Sequence, residues 1–480
     1  MLHPLQLSYL ENELVDIVGR ENVLADEEDR TIYGVDYFWI PRMYIDRGRM
    51  PPTPDFVVLP GSAEEVSRVV KLANIYRIPV IPWGGGSGSQ GGTTPVYGGI
   101  TLDLKRLNRL IEINRDAQTV TAEAGINGYE LESALNRAGF TLGHLPASIH
   151  SATLGGYLAA RGSGVLSTMY GKMEDIVMSV EVVLPGGDLV RTLPVPTHAS
   201  GPGILQLFVG AEGSYGIITE ATSRVERLPE ERRFRAYLFH SFEQGLEAAK
   251  QIMLERINPS VLRLYDEPST RKRIKTILGL DLKGFYMVVG VEGKKEIVDI
   301  HERRAHQLCT SHGAEELPNE HAWQWWNHRY NFYFPPKCLD FPWMFGTMDT
   351  LCTFDKIENL YNTKKKRLEE RYAKWELQYI AHLSHWFPWG AMIYDRFIIE
   401  NPPWDPREAL ALHNEIWNVA VRTSLECGAV LNEHHGVGLK LARLVREQYG
   451  PAFQILEGLK KGLDPVNILN PGKMGFGPTQ

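Results

Sequence analysis

The amino-acid sequence predicts an α+β protein, on three observations. Strand-like and helix-like segments alternate in the first part of the chain, and three loops rich in glycine and other small residues follow between residues 82 and 216. Beyond Pro229, apolar strand-like segments alternate with an amphipathic helix, which is typical of a sheet covered by helices. A chain of 480 residues suits roughly two or three domains.

One strand–helix unit precedes the first loop, and another follows it. In residues 55–80, "DFVVLP" is apolar and β-branched, and "SAEEVSRVVKLANIYR" begins with Ser62 and Glu65 in capping-box spacing. Later, "QTVTAEAG" alternates like a strand, and "NGYELESALNRAGF" has Asn127 as its N-cap and Glu130 three residues on. Both helices carry an apolar stripe, so each is expected to pack on a sheet.

The densest loop is Pro82–Gly92, "PWGGGSGSQGG", with six glycines in eleven residues. Gly86, Gly88 and Gly91 match the spacing of the dinucleotide fingerprint, but the following "TTPVYGGITLDL" cannot begin a helix. The phosphate loop of nucleotide triphosphatases is also excluded, because no lysine follows the last glycine. The pattern indicates a strand and then main-chain amides that suit an anionic ligand, with a surface hairpin loop as the alternative.

Two further loops share this composition. "SIHSATLGGYLAARGSG" occupies residues 148–164, and "GAEGSYG" occupies residues 210–216, before the strand-like "IITEATSRV". Three such loops in one chain are what a long ligand needs when several loops converge on it. We therefore expect the three loops to meet.

The second half of the chain predicts a separate domain. "FRAYLFHSF", "SVLRLYD" and "FYMVVGVEG" are strand-like, and "EQGLEAAKQIMLERI" is helical, which favours an antiparallel sheet. We expect one domain over residues 1–228 and a second over residues 229–428. Residues 429–480, which end in "DPVNILNPGKMGFG", are expected to return to the first domain.

Composition narrows the function classes. Lys plus Arg is 51 and Asp plus Glu is 58, giving a formal net charge of -7 with no basic block, so nucleic acid is not an expected partner. No apolar run is long enough for a transmembrane segment. The N-terminus is predicted as an amphipathic helix, not a signal peptide, and the four cysteines show no C-x-x-C spacing. We expect a cytoplasmic protein that forms a homodimer.

In this order, the three loops resemble the FAD-binding domain of the vanillyl-alcohol oxidase family, also called the PCMH-type flavin fold. "DPVNILNPGKM" is similar to that family's C-terminal signature. The resemblance implies a two-subdomain FAD-binding domain and an α/β cap domain with an antiparallel sheet that binds the substrate. It also implies that the glycines of the first loop let main-chain amides approach the FAD diphosphate. The residues that it assigns to FAD are Pro82, Trp83, Gly84, Gly85, Gly86, Ser87, Gly88, Ser148, Ser151, Ala152, Thr153, Gly155, Gly156, Ala160, Arg161, Ser163, Glu212, Gly213, Gly216, Ile217 and Ile218.

The resemblance also bears on how FAD is held. Some members of the family attach the flavin through a histidine just after the triple glycine. Ser87 occupies that position here, and a serine cannot form that linkage. We therefore expect FAD to be bound non-covalently.

Within the family, the chain resembles alkyldihydroxyacetonephosphate synthase and its bacterial relatives most closely. "GAMIYDRF", "EHHGVG" and "SVLRLYD" are similar to active-site segments of that subgroup. The likeness implies Tyr394 as acid or base, His434 and His435 beside the flavin, and Arg263 as their neighbour. Because adjacent residues do not all face one point, we expect one histidine toward the substrate and the other behind it. Glu433 stands where the synthases have the first of three histidines.

The resemblance does not assign one residue to the anionic group of the substrate. The synthases place an arginine for the substrate phosphate in a segment that corresponds roughly to "FYFPPKCLDFPW", which has none. Lys337 within it and Arg329 upstream are the candidates for substrate binding. A lysine does not reproduce the planar, bidentate contact of an arginine.

A divalent metal is an alternative feature of the site. The 2-hydroxyacid dehydrogenases of this family hold an ion with a "GHxGDGN" segment and a Glu–His pair. "SHWFPWGAMIY" offers His385, and "NEHHG" offers Glu433 and His434 as ligands. Since the "GDG" core is absent, we expect no metal.

These observations predict an FAD-dependent oxidoreductase. It would oxidise a small hydroxy acid or alcohol by hydride transfer to flavin N5, while a histidine or Tyr394 accepts the hydroxyl proton. One alternative is an alkylglycerone-phosphate synthase-type transferase that uses a flavin N5 adduct. The other is a flavoprotein subunit that passes electrons to an acceptor protein; iron–sulfur centres would then lie on other chains.

Overall fold

The computed structural model describes residues 4–195, 197–331 and 340–478. Within them the strands form three main sheets and one two-stranded ribbon. The strands are β1 (Val23–Leu24), β2 (Phe56–Val58), β3 (Val80–Trp83), β4 (Ile100–Asp103), β5 (Leu110–Asn114), β6 (Thr119–Glu123), β7 (Phe140–Thr141), β8 (Val177–Val183), β9 (Leu189–Arg191), β10 (Ile217–Arg224), β11 (Glu226–Arg227), β12 (Glu231–Phe239), β13 (Val261–Tyr265), β14 (Phe285–Gly293), β15 (Glu315–Leu317), β16 (Met344–Thr353), β17 (Gln378–Phe387) and β18 (Gly390–Ile399).

Helices cover these sheets. The α-helices are α1 (Pro4–Val18), α2 (Glu27–Ile32), α3 (Trp39–Asp46), α4 (Ala63–Tyr76), α5 (Gly128–Arg137), α6 (Leu154–Ala159), α7 (Ser167–Tyr170), α8 (Met173–Ile176), α9 (Leu205–Phe208), α10 (Phe242–Leu254), α11 (Glu267–Ser269), α12 (Lys275–Leu278), α13 (Lys295–Ser311), α14 (Asn319–Asn327), α15 (Phe354–Arg371), α16 (Pro406–Glu426), α17 (Val445–Tyr449) and α18 (Phe453–Leu463). Short 3-10 helices lie at Arg20–Asn22, Leu104–Arg106, Ala373–Trp375 and Gly450–Ala452, and a π-helical turn, Thr270–Ile274, joins α11 to α12. No helix in this part of the chain is both long and apolar enough to cross a membrane.

The first sheet has the order β1–β2–β4–β3, with β4 parallel to both β2 and β3. Helix α4 connects β2 to β3 and begins at the predicted capping box. Ser62 Oγ accepts a hydrogen bond from the Glu65 amide at 3.2 Å, and the Glu65 carboxylate accepts one from the Gly61 amide at 2.7 Å. The face of α4 that packs inward is fully buried and comprises Val66, Val69, Val70 and Ala73.

The second sheet is antiparallel, with the order β5–β6–β10–β8–β9. Helix α5 follows β6 and is capped by Asn127, whose side chain accepts hydrogen bonds from the amides of Tyr129 and Glu130. Residues 148–164 contain α6, and residues 210–216 lead directly into β10, so both segments belong to this half of the domain. The two sheets thereby bring all three glycine-rich loops to the same region.

The cap sheet is antiparallel throughout, in the order β15–β12–β14–β13–β17–β18–β16. This confirms the predicted antiparallel sheet of the second domain. Tyr394 on β18 lies directly opposite His382 on β17 and Asp349 on β16. Directly paired residues project from the same face of a sheet, so these three side chains share one face.

The C-terminal segment runs beside the first sheet. The Val80 amide donates to Ile468 O at 2.8 Å, and the Asn470 amide donates to Val80 O at 2.9 Å. The Asn470 side chain donates to Gly92 O at 3.0 Å and to Glu212 O at 2.7 Å, which links the first and third loops. The domain boundaries at residues 228 and 428 stay a prediction.

One buried ion pair anchors this segment. Lys460 Nζ lies 2.6 Å from Asp464 Oδ2 and also donates to Ser214 O and Leu469 O, at 2.7 and 2.9 Å. The Asp464 carboxylate accepts hydrogen bonds from the amides of Ile468 and Leu469, at 3.0 and 2.8 Å. Both charged side chains are buried, so each depends on the other for compensation.

We therefore expect Asp464→Asn to destabilise the protein by about 3 to 5 kcal/mol, since it leaves the Lys460 ammonium buried without an opposite charge. Chemical denaturation followed by fluorescence measures the change. Asp281→Asn is the matched control, because it removes an exposed pair with Lys275 and should leave the free energy of unfolding almost unchanged. An equal free energy of unfolding for Asp464→Asn and the unsubstituted protein would contradict the anchoring role.

Candidate active site

A cavity lies where the three glycine-rich loops meet one face of the cap sheet. All the residues assigned to FAD from the sequence line this cavity, except Ser151 and Arg161. Tyr394, His434 and His435 line it from the other side. The structure thus brings the predicted cofactor loops and the predicted catalytic residues to one place.

The glycines allow the loops to interlock. A Cβ on Gly85 would lie 1.7 Å from Ser151 O of the second loop, and a Cβ on Gly213 of the third loop would lie 2.3 Å from Pro82 Cγ. Neither position has room for a side chain. Gly88 differs, since no atom lies within 4 Å of the place where its Cβ would be. The first loop therefore packs tightly on its neighbours through Gly85 and offers bare main chain to open space at Gly88.

Ser151 and Arg161 lie in the second loop but outside the lining of the cavity. Ser151 Oγ donates to Ser148 O at 3.2 Å. Arg161 Nε donates to Val209 O, next to the third loop, at 3.0 Å. The assignment of these two residues to FAD stays a prediction.

The polar atoms that line the cavity fit a polar cofactor. Ser89 Oγ, Gln90 Oε1, Tyr157 OH and both ring nitrogens of His144 are buried, and they have no hydrogen-bond partner among the described residues. All four residues line the cavity. Burial lowers the pKa of His144 to about 3, so the ring is neutral at pH 7. Unpaired buried polar groups are costly, so this set is what a ligand with many donors and acceptors, such as FAD, would satisfy.

Tyr394 lies beside a cation. Its hydroxyl accepts a hydrogen bond from Arg396 Nη2 at 3.2 Å, and its ring centroid lies 4.7 Å from that of His382 and 5.4 Å from that of His435. Burial would raise the pKa of Tyr394, but the charges of Arg396, His435 and Arg273 outweigh it and lower that pKa to about 8. The phenol is therefore far easier to ionise than an ordinary tyrosine.

His435 is paired with Asp349. Its Nδ1 lies 2.6 Å from Asp349 Oδ1, and the other carboxylate oxygen accepts the amides of Glu433 and His434 at 2.5 and 2.6 Å. Burial opposes ionisation of Asp349, yet the two histidines hold its pKa well below the usual range. An ionised carboxylate only accepts, so Nδ1 carries the hydrogen, and Nε2 is the ring nitrogen left to accept a proton.

His434 belongs to a second group of side chains, in which the Glu433 carboxylate is paired with the Lys172 ammonium. Its Nδ1 lies 2.7 Å from Glu433 Oε2, and Glu433 Oε1 lies 3.0 Å from both His385 Nδ1 and Lys172 Nζ. Burial disfavours the charge on Glu433, but Lys172 holds its pKa well below the usual range. Lys172 also donates to Glu433 O at 2.7 Å.

The expectation that only one histidine faces the substrate is wrong. Both rings line the cavity, with centroids 4.0 Å apart. The segment is a turn, not an extended strand: Gly436 and Gly438 have φ of +75° and +51°. Consecutive side chains need not point in opposite directions in a turn, so both rings reach the same space.

The metal ligands considered from the sequence, His385, Glu433 and His434, form this hydrogen-bonded group instead. The Lys172 ammonium already supplies the positive charge at Glu433. In the described residues, the group whose atoms lie close enough to hold an ion is Asp349, His434 and His435. Because Asp349 is already bonded to His435 and to two amides, we do not include a metal in the function proposed below.

The predicted arginines also reach the cavity. Arg263 lies over the Trp325 ring at 5.6 Å, and Arg329 lies over the Trp326 ring at 3.8 Å. Both line the wall. Lys337, the other candidate for substrate binding, lies outside the described residues.

Sequence reasoning missed three residues of the site. Arg273 lines the cavity from the π-helical turn, Asp349 holds the histidine segment from β16, and Lys172 compensates Glu433. "TRKRIK" has the pattern of a solvated charged helix, so it gave no signal for Arg273. Asp349 is 86 residues from His435, and Lys172 is 261 residues from Glu433, distances at which no local pattern applies.

Interlocked glycine loops around a polar cavity, with ionisable side chains on the facing sheet, suit a flavin-dependent enzyme. Comparisons with known protein families support the same class of protein. Residues 54–193 match the FAD binding domain, and residues 228–474 match the C-terminal domain of FAD linked oxidases. The chain belongs to the FAD-linked oxidase family, so it is an oxidoreductase with FAD as its cofactor.

Individual relatives span most of the chain. Alkyldihydroxyacetonephosphate synthase of Dictyostelium discoideum is 30% identical over 89% of this chain and 74% of its own length. Glycolate oxidase subunit GlcD of Bacillus subtilis (strain 168) is 26% identical over 97% of this chain and 96% of its own. The crystal structure of p-cresol methylhydroxylase with substrate bound is 18% identical and covers 99% of this chain and 98% of its own, with a TM-score of 0.80. That likeness confirms the PCMH-type fold.

The interlocked glycines give a sharp test of the cofactor loop. Gly85→Ala should lower both the melting temperature and the FAD content, since its methyl group overlaps Ser151 O. Gly88→Ala should leave the melting temperature of the FAD-free protein unchanged, because its methyl group enters open space. Absorbance after acid precipitation measures released FAD, and it also tests the predicted non-covalent binding. Full FAD content in Gly85→Ala would mean that the loops do not interlock as described.

Proposed function

We propose that the protein oxidises a hydroxy acid or alcohol that carries an anionic group. The observation behind the proposal is that Tyr394, His435 and arginine side chains line one cavity together with the loops assigned to FAD. When bound, FAD supplies the acceptor for the hydride. The side chains of this chain then have two tasks: to hold the anion and to take the hydroxyl proton.

His435 is suited to accept the proton. With Nδ1–H directed to Asp349, its Nε2 is the nitrogen with a free lone pair. The negative charge of Asp349 stabilises the imidazolium that forms, because the carboxylate stays ionised in the buried site. Asp349 therefore orients the ring.

Tyr394 is suited to a second role at the same oxygen. As a phenol it donates a hydrogen bond to the substrate oxygen, and as a phenolate it can accept the proton itself. The Arg396 guanidinium, 3.2 Å from the hydroxyl, stabilises the phenolate form. The lowered pKa, about 8, makes both forms available near neutral pH.

A synthase-type transfer without net oxidation is the second candidate function. It is favoured by the likeness to alkyldihydroxyacetonephosphate synthase over most of the chain. Glu433, however, stands where those enzymes have a histidine in the resemblance described above, and the segment expected to bind phosphate has no arginine. A subunit role with an acceptor protein is supported by the likeness to a named oxidase subunit. The cytoplasmic location and the homodimer remain predictions.

Anaerobic mixing of the purified, FAD-loaded protein with a panel of hydroxy acids, alcohols and acyl-glycerone phosphates separates these functions. Bleaching of the flavin by a hydroxy acid or alcohol, and recovery of colour on adding an electron acceptor, is the expected result. A colour change with an acyl-glycerone phosphate that no acceptor reverses would favour the transferase. Absence of any flavin change with every hydroxy compound would contradict the proposed oxidation.

Substitution of the proton acceptors should slow turnover without loss of FAD. We expect Tyr394→Phe and His435→Ala each to lower the rate of flavin reduction by about 10² to 10⁴-fold, the range for loss of a general acid or base. Both residues lie outside the three glycine loops, so FAD content should be unchanged. Stopped-flow absorbance measures the rate. Tyr9→Phe and His198→Ala, at exposed positions, are the controls. Unchanged rates in both active-site variants would refute the assignment.

The pH profile distinguishes the two acceptors. If the Tyr394 phenolate takes the proton, the rate of flavin reduction rises through about pH 8, where the phenol ionises. Arg396→Met removes a charge that lowers this pKa, so the rising limb should move to higher pH. Tyr394→Phe should abolish it. A limb near pH 6.5, ordinary for an imidazole, that persists in Tyr394→Phe would identify a histidine as the base.

A further inference from the structure

A second histidine–carboxylate pair lies beside the pair that the proposed oxidation uses. His435 Nδ1 lies 2.6 Å from Asp349 Oδ1, and His434 Nδ1 lies 2.7 Å from Glu433 Oε2. The centroids of the two imidazole rings are 4.0 Å apart. The proposed oxidation assigns no role to the pair of His434 and Glu433, although it lies at the same place in the cavity.

The carboxylate of each pair is surrounded by hydrogen-bond donors. Asp349 Oδ2 accepts the main-chain amides of Glu433 and His434, at 2.5 and 2.6 Å. Glu433 Oε1 lies 3.0 Å from the Lys172 ammonium. Such donors favour the ionised form of a carboxylate, and an ionised carboxylate only accepts hydrogen bonds. Nδ1 of each ring therefore carries a hydrogen that is directed to its carboxylate.

Each neutral ring then has its lone pair on Nε2. In the part of the chain that the structure describes, Nε2 of neither ring has a hydrogen-bond partner. Both rings line the cavity, and the side chains of His434 and His435 are 12% and 18% exposed. Since Nδ1 faces the protein, the opposite edge of each ring faces the cavity. The cavity therefore presents two hydrogen-bond acceptors side by side.

The position of His434 places it at the reaction centre. Its ring centroid lies 6.0 Å from that of Tyr394, with the ring planes 26° apart, and the centroid of Tyr394 lies 5.4 Å from that of His435. A substrate whose hydroxyl group reaches His435 and Tyr394 therefore has its neighbouring atoms close to His434.

We infer that the substrate is a vicinal diol, a hydroxy acid with a second hydroxyl group on the carbon next to the one that is oxidised. The first hydroxyl binds at His435 and Tyr394 and loses its proton there. The second hydroxyl donates a hydrogen bond to His434 Nε2 and is chemically unchanged. A substrate with a single hydroxyl would leave one of the two acceptors without a donor, and an unpaired polar group in a largely buried site is costly.

This inference rests on the proposed function for the identity of the first hydroxyl. It assigns His434 as a specificity-determining residue, because its Nε2 contacts the second hydroxyl. Glu433 is a positioning residue, since its carboxylate holds the hydrogen of the His434 ring on Nδ1 and leaves Nε2 as an acceptor.

A matched pair of acids tests the inference. Lactate and glycerate differ only in the second hydroxyl, and both enantiomers of each are mixed anaerobically with the FAD-loaded protein. We expect glycerate to reduce the flavin with at least about tenfold higher efficiency than lactate, because a site built to bind a hydroxyl discriminates strongly against an analogue that lacks it. Stopped-flow absorbance measures the reduction.

Binding is measured separately from the reaction. Protein whose flavin has first been reduced with dithionite cannot oxidise either acid, so calorimetry then reports affinity alone. We expect glycerate to bind at least about tenfold more tightly than lactate. 2,4-Dihydroxybutyrate, whose second hydroxyl lies one carbon further away, should gain less over 2-hydroxybutyrate than glycerate gains over lactate.

Substitutions at His434 locate the second hydroxyl. His434→Phe keeps a ring and removes Nε2, so the preference for glycerate over lactate should fall by at least about tenfold. His434→Gln, whose amide oxygen can accept a hydrogen bond near the place of Nε2, should retain part of the preference, which guards against a folding defect. His198→Phe, at an exposed position, is the matched control and should keep the full preference.

Glu433→Gln tests the positioning role. Lys172 Nζ and His385 Nδ1 both lie 3.0 Å from Glu433 Oε1, so a carboxamide at this position directs its oxygen toward them. Its nitrogen then faces His434 Nδ1 and donates to it, which moves the hydrogen of the ring to Nε2 and turns that atom from an acceptor into a donor. We expect the preference for glycerate to fall as in His434→Phe, although the ring is retained. A full preference in Glu433→Gln would refute the positioning role.

Two results would overturn the inference. One is that lactate binds and reduces the flavin as well as glycerate does, and the other is a full preference for glycerate in His434→Phe. Failure of the proposed oxidation is a separate result, in which no hydroxy compound reduces the flavin. In that case the affinities of the dithionite-reduced protein for glycerate and lactate still decide whether the site binds a vicinal diol.

Discussion

The buried carboxylate of Asp349 fixes the catalytic side of this enzyme. It lies on β16 of the cap sheet, yet it accepts the amides of Glu433 and His434 and the ring of His435, all from the C-terminal segment. One side chain thus sets the main-chain path of the histidine turn and the orientation of one histidine. Without it, two amides and an imidazole would lose their hydrogen-bond partner in a largely buried site, a cost of several kcal/mol in all. The cap and the C-terminal segment are therefore joined at the reaction centre itself.

A second carboxylate fixes the same turn from the FAD side. Glu212 of the third glycine loop accepts the Gly438 amide with both oxygens, at 3.0 and 2.8 Å. A Cβ on Gly436 would lie 2.1 Å from Glu212 Oε1, so the turn comes into direct contact with this carboxylate. Burial raises the pKa of Glu212 to about 7. The loop that lines the FAD cavity and the turn that carries the histidines consequently cannot move independently.

Local chemistry made much of the fold predictable. The capping residues Ser62 and Asn127 fixed two helix starts, and small residues at close approaches marked the three loops. Tyr394 and Asp395 project from opposite faces of β18, as alternation along a strand requires, and Asp395 pairs with Lys364 at 2.7 Å. What the pattern could not supply were partners far apart in the chain. Asp349 has no neighbour in sequence that predicts the amides of Glu433 and His434 as its donors.

Arg273 could not be predicted as a cavity residue for a different reason. A run of charged residues in a helical stretch usually forms a solvent-exposed face. The π-helical turn Thr270–Ile274 changes the direction of the side chains there, and Arg273 enters the cavity while Arg271 and Lys272 stay exposed. A period of 3.6 residues cannot anticipate such a turn. Ser151 and Arg161 show a similar limit, because they belong to the second loop but lie outside the cavity lining. Position in a motif predicts which loop a residue occupies, but not which side of the loop it faces.

Glu433 stands where the resemblance places a histidine of the synthases, and Lys172 compensates its charge. Lys172 is buried and contacts the Glu433 carboxylate, the Glu433 main chain and Glu174. A histidine at 433 would leave the lysine with Glu174 as its sole carboxylate, and it would leave His385 without its present partner. The Glu433 carboxylate, which stands where the resemblance places the first histidine of the synthases, is therefore one half of a buried ion pair with Lys172.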